Sequence, residues 1–144
     1  MTNAEGTALT EGLFAHADGN YAAALQKWRP LAERGIPAAQ ALLGHLHLKG
    51  EGVRQDRRKA RACFLRAAKQ GDETALRKLR ALAEAHRSHG EFVEAYAWFA
   101  TAAAFGNRRA ATQRDTLAKL LTAKQLDRAK LRAQSHLKTI TAGK

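Results

Sequence analysis

The sequence predicts an all-α fold, an α/α superhelical solenoid of about eight helices in antiparallel pairs, and three observations predict it. The 144 residues are rich in Ala, Leu, Arg and Lys, the side chains that lose least on entering a helix. Val and Ile are confined to Val53, Val93, Ile36 and Ile140, too few for a sheet-based core. One helical pattern recurs at spacings of 36 and then 35 residues.

The recurring pattern aligns residues 24–35, 60–71 and 95–106. A small residue (Ala24, Ala60, Ala95) precedes an aromatic four places on (Trp28, Phe64, Phe99). A small or apolar pair follows (Leu31-Ala32, Ala67-Ala68, Ala102-Ala103), then a glycine (Gly35, Gly71, Gly106), then an alanine four residues later (Ala39, Ala75, Ala110). Residues i and i+4 share a helix face, so the alanine admits a neighbouring helix and the ring fills the space beside it. The glycine ends the helix, because a left-handed C-terminal turn costs it little. Such a chain reads as one domain over 1–144, with units of roughly 8–35, 36–71 and 72–106 and capping helices over 107–140.

The elements follow in order. The first helix is expected from about Ala8 to Ala17, and Asp18-Gly19-Asn20 turns the chain into a second, Tyr21 to Arg34. Pro37 suits the first turn of a third helix reaching Lys49. Gly50-Glu51-Gly52-Val53 makes a wider loop, and Asp56 caps a fourth helix, Arg57 to Gln70. Asp72 caps a fifth, Glu73 to Arg87, ended by Ser88-His89-Gly90. A sixth runs from Glu91 to Phe105 and a seventh from Arg108 to Leu121. Thr122 and Gln125 form a capping box for the last, whose Leu126, Ala129, Ala133, Leu137 and Ile140 make an apolar stripe.

Leu43-Gly44, Gly50-x-Gly52-Val53, Asp56, Lys59-Ala60, Ala67-Ala68 and Gly71 resemble one complete unit of the Sel-one-like repeat family, a close cousin of the tetratricopeptide repeats. The resemblance extends over about Gly12 to Leu131, and the Gly-x-Gly-Val-x-x-Asp loop is its most specific part. The flanking turns, Asp18-Gly19-Asn20-Tyr21 and His89-Gly90-Glu91-Phe92, are shorter and look like plain tetratricopeptide turns, and His47 stands where the family usually has Tyr. The resemblance implies a helical scaffold that binds other proteins.

Charge and chemistry narrow the function. The net charge is +12, yet residues 1–50 hold four Lys/Arg against four acids, so the whole excess lies beyond Lys49. That asymmetry points to an acidic partner. A phosphate-binding loop is missing, because Gly50 and Gly52 precede no Lys-Ser/Thr, and the acids form no pair spaced for acid–base work. An enzyme is therefore not expected, nor is a cofactor or a metal. His45 and His47 are two apart on a helix and point to different faces, and His86 and His89 are expected to meet the C-terminal carbonyls of their own helix. Cys63, the only cysteine, reads as a packed thiol in an apolar helix. With no apolar run long enough to span a bilayer and a polar start over Met1 to Thr10, the chain is expected to be cytoplasmic.

In helix-pair solenoids the first helix of each pair lines the concave, partner-binding surface. With Leu76, Leu79, Leu82 and Ala83 facing the core of the fifth helix, Arg77, Arg80 and Glu84 fall on its other side. Repeat register then places His45 and Leu48 of the third helix, and Arg114 and Thr116 of the seventh, on the same surface. A second basic patch comprises Arg54, Arg57, Arg58 and Arg61. The expected function is a non-catalytic adaptor that presents this groove to an acidic protein; the alternative is a basic accessory factor binding nucleic acid.

Overall fold

The structure, a computed structural model, describes the backbone of residues 1–142 and the side chains of residues 1–138. Eight helices and no strand are present among the described residues. They divide into two compact units, Met1–Asp72 and Glu73–Lys144. The first holds α1 (Asn3–Ala17), α2 (Tyr21–Glu33), α3 (Pro37–Lys49) and α4 (Arg57–Lys69). The second holds α5 (Glu73–Ser88), α6 (Phe92–Ala104), α7 (Arg108–Ala118) and α8 (Ala123–Ala142).

Local chemistry sets the helix ends. α1 begins at Asn3, five residues ahead of the expected Ala8, because Thr2 and Glu5 form a capping box: the Glu5 N–H donates to Thr2 Oγ1 at 3.1 Å and the Thr2 N–H to Glu5 Oε1 at 2.8 Å. Asp56 accepts the Lys59 N–H at 3.0 Å at the start of α4. Thr122 and Gln125 exchange the same pair of bonds ahead of α8. The repeat glycines Gly35, Gly71 and Gly106 all have positive φ just past a helix end.

In the first unit, the repeat aromatics fill gaps left by glycines on the preceding helix. Trp28 is 1% exposed, and its ring lies where a side chain at Gly12 would stand. The same ring donates its Nε1–H to the Leu9 carbonyl at 3.2 Å. Phe64 packs against Gly44 in the same way: a Cβ there would come within 2.9 Å of its Cε1. Gly12 precedes Trp28 by 16 residues and Gly44 precedes Phe64 by 20, the surplus lying in the wider loop before Asp56. Buried Gln40 donates to the Ala32 carbonyl, and Gln70 donates to both Gly35 O and Gln40 Oε1, closing the ends of α2, α3 and α4.

In the second unit α6 packs against α5, α7 and α8. Its residues 95–99, with Thr101 and Ala102, are all buried, as expected of a helix that is apolar almost all round. Thr101 satisfies its hydroxyl on the Ala97 carbonyl at 2.8 Å. Trp98 stacks on His136 of α8 at 3.8 Å between ring centroids, and Glu94 pairs with Arg132 of the same helix. Along α8, Ala129 and Ala133 are buried and Leu126 and Leu137 half-buried; Ile140, the last residue of the expected stripe, lies outside the described residues. No helix among the described residues is long and apolar enough to cross a membrane.

Candidate functional site

In the first unit, the loop after α3 carries the most chemically distinctive cluster. Gly50 (φ 71°) and Gly52 (φ 75°) both hold the left-handed conformation that disfavours a side chain. Gly52 also lies so close to α2 that a Cβ there would sit 2.9 Å from the Tyr21 carbonyl oxygen. The residue between them, Glu51, is thereby aimed back at α1 and α3. Its Oε1 lies 3.0 Å from Nε2 of His16 and 3.2 Å from Nε2 of His45. The two imidazoles meet edge to face at 5.5 Å between centroids, and His16 also sits beside the rings of Tyr21 and Trp28.

These contacts set the local electrostatics. The His16 hydrogen bond holds the Glu51 carboxyl below the ordinary carboxylate range against the opposing effect of burial, with a lesser contribution from the Tyr21 hydroxyl. Tyr21 is correspondingly pushed up by the carboxylate it faces. His47 shares none of this: it is half-buried, its Nδ1 has no hydrogen-bond partner among the described residues, and burial followed by the Lys59 charge lowers its pKa. The two histidines of α3 diverge, as their two-residue spacing requires.

Of the residues expected to line a partner surface, His45 is thus engaged with Glu51, and Leu48 is half-buried. In the second unit Arg77 is exposed and touches Thr74 Oγ1 at 3.4 Å, and Arg80 is half-buried. Glu84 binds Arg87 at 2.6 Å and accepts a hydrogen bond from Gln113 of α7. Arg114 pairs with its neighbour Asp115 at 3.0 Å. Thr116 lines a groove of about 470 Å³ together with Arg87, Phe92, Gln113, Leu117 and Leu120. Phe92 and Leu120 remain 39% and 68% exposed, so the groove has an accessible apolar surface beside polar side chains. His89 donates to the Ala85 carbonyl at 2.7 Å, whereas His86 turns to Glu91 at 3.6 Å rather than to a helix-end carbonyl.

The basic patch in the first unit stands at the start of α4. Arg54, Arg57 and Arg58 are exposed and Arg61 half-buried, and none has a carboxylate within ion-pair distance among the described residues. Arg57, Arg58 and Lys59 fill the first turn of α4, and Arg108 and Arg109 open α7. Cations there oppose the helix macrodipole, so their placement costs local stability. Nothing in the sequence pattern alone singles out His16, Glu51 and Tyr21 as a cluster. The available signal was the Gly-x-Gly spacing, which requires the middle residue to follow the backbone onto a neighbouring helix.

Taken together, paired helices, glycine-ended repeats and a Gly-x-Gly loop define an α/α helical-repeat fold that carries one Sel1-like repeat. Residues 37–72 match the Sel1 repeat. A protective antigen of uropathogenic Escherichia coli displaying an SLR fold is similar at 30% identity and a TM-score of 0.63, over 93% of this chain and 30% of that one. The chain thus spans about a third of the length of that relative. No curated protein matches the sequence.

Proposed function

We propose that this chain is a non-catalytic scaffold that holds an acidic partner protein against its basic surfaces. Sel1-like repeats are in general protein–protein interaction modules, which supports the scaffold half of the reading. The observation that carries the acidic half is the set of arginines at the starts of α4 and α7, placed where a helix disfavours them; a carboxylate-rich partner offsets that cost. Within the second unit, Arg77 and Arg80 add basic side chains on α5, and the groove at Thr116, Phe92 and Leu120 offers apolar surface. The rings of Trp28, Phe64, Trp98 and Phe99 are buried and so not available to stack on bases; Phe14 and Phe92 are exposed, but two isolated rings make no stacking platform, and the nucleic-acid alternative gains no support. A cytoplasmic setting is part of the same proposal, since Cys63, the chain's only cysteine, calls for no oxidising compartment.

The experiment is partner capture from native cell extract by the immobilised chain, compared with an Arg77→Glu, Arg80→Glu double variant. The variant should lose the partner and keep its circular dichroism spectrum, since Arg77 is exposed and Arg80 only half-buried. Undiminished capture by the variant would remove α5 from the binding surface.

A further inference from the structure

The geometry points to a divalent transition-metal site formed by His16, His45 and Glu51 in the first unit. Three donor atoms from three separate segments converge there: Nε2 of His16 near the end of α1, Nε2 of His45 in α3, and a carboxylate oxygen of Glu51 in the loop. All three donors lie within 4.8 Å of one another. Tetrahedral zinc with bonds of about 2.0–2.1 Å separates neighbouring ligand atoms by about 3.3 Å. The observed 3.0 Å and 3.2 Å from the carboxylate oxygen to the two nitrogens are already close to that edge length. Binding an ion then requires the two nitrogens, within 4.8 Å of each other, to close to the same edge length, with each Nε2 in the unprotonated tautomer.

The surroundings suit such an ion. The Tyr21 hydroxyl faces the same carboxylate, the kind of outer contact that orients a ligating group. The loop that delivers Glu51 is held in place by Gly52 against the backbone of α2. His16, His45 and Glu51 keep 29%, 30% and 20% of their side chains exposed, so an ion has access from solvent. Two imidazoles and one carboxylate match zinc and its first-row neighbours, and suit the harder magnesium and calcium poorly. The three-ligand set leaves a fourth coordination position for water or an incoming group. This assignment revises the sequence-based expectation of no metal, which weighed His45 only against His47.

The test is calorimetric titration of the untagged full chain with zinc chloride, supported by the visible spectrum of the cobalt(II) form. One zinc per chain should bind with a dissociation constant of about 10 μM or tighter, and cobalt should show the intense absorption of four-coordinate geometry. His16→Ala, His45→Ala and Glu51→Gln should each weaken zinc by at least about 10-fold, whereas a His86→Ala, His89→Ala double variant should bind as the parent does. Magnesium at millimolar concentration should not compete. Glu51→Gln preserves the size of the side chain and one acceptor oxygen, so loss of zinc with an unchanged circular dichroism spectrum reports ligation rather than unfolding. Absence of saturable zinc binding, retention of parent affinity in Glu51→Gln and His16→Ala, or loss of binding only in the His86, His89 variant would overturn the assignment.

Discussion

Replacing Gly12 with alanine should destabilise the first unit, although the same change in most helix interiors is favourable. Alanine improves helix propensity by about 1 kcal/mol over glycine. Against that gain, a Cβ at Gly12 would stand 2.7 Å from Cδ1 and Cε2 of Trp28, and closer still to Nε1. The ring is 1% exposed and cannot swing into solvent, so the overlap must move the ring or the helix, at about 1–3 kcal/mol. Displacing the ring also breaks the Trp28 Nε1–H bond to Leu9 O and leaves a donor without a partner, worth about 1–3 kcal/mol more. The sum is a net loss of about 1–5 kcal/mol. Gly6 supplies the internal control: it lies in the same helix with nothing within 4 Å of its would-be Cβ, so Gly6→Ala should be neutral or stabilising by up to about 1 kcal/mol. Urea unfolding followed by circular dichroism and tryptophan fluorescence measures both. Adding Trp28→Phe to Gly12→Ala should recover part of the loss, because the smaller ring leaves room for the methyl group. If Gly12→Ala proved as stable as Gly6→Ala, the close approach of α1 and α2 would be wrong.

Two further outcomes are expected. The Lys59 backbone N–H bond holds the Asp56 carboxyl below its ordinary range against the opposing effect of burial, so its contribution is full above about pH 4 and is lost as pH falls through the lowered folded value. The stability gap between the parent and Asp56→Asn should accordingly be constant above about pH 4 and close below it; urea midpoints across that range check this, and a gap independent of pH would refute it. Cys63 is buried and its thiol is pushed up by burial, so an aromatic disulfide reagent should label it far more slowly in the native chain than in urea. Equal rates would show that the thiol is not packed.

Much of the fold was legible because it rests on local rules. The Asp56 and Thr122–Gln125 caps act within one helical turn, so sequence spacing is sufficient to find them. The burial of Trp28, Phe64 and Phe99 follows from a pattern repeated at 36 and 35 residues, which a chance arrangement of apolar residues does not produce. Apolar periodicity places the start of α1 near Ala8, whereas the capping box of Thr2 and Glu5 extends the helix to Asn3. His86 was assigned to the end of its own helix, yet the turn brings Glu91 within reach. In both places a polar side chain found a better partner than apolar periodicity could indicate.

The cluster of His16, His45 and Glu51 shows where that legibility ends. His16 and Glu51 are 35 residues apart, and nothing in the local environment of either names the other. Their meeting depends on how the loop over Gly50 and Gly52 lies against Tyr21, a packing event between segments distant in the chain. The repeat period, the helix ends and the +12 charge were determined by the sequence itself, because each is a property of neighbouring residues or of a simple count. Tertiary structure alone decided which polar side chains converge. Such convergence requires helices already packed at fixed distances, and here the glycines at positions 12, 44 and 52 allow that close packing.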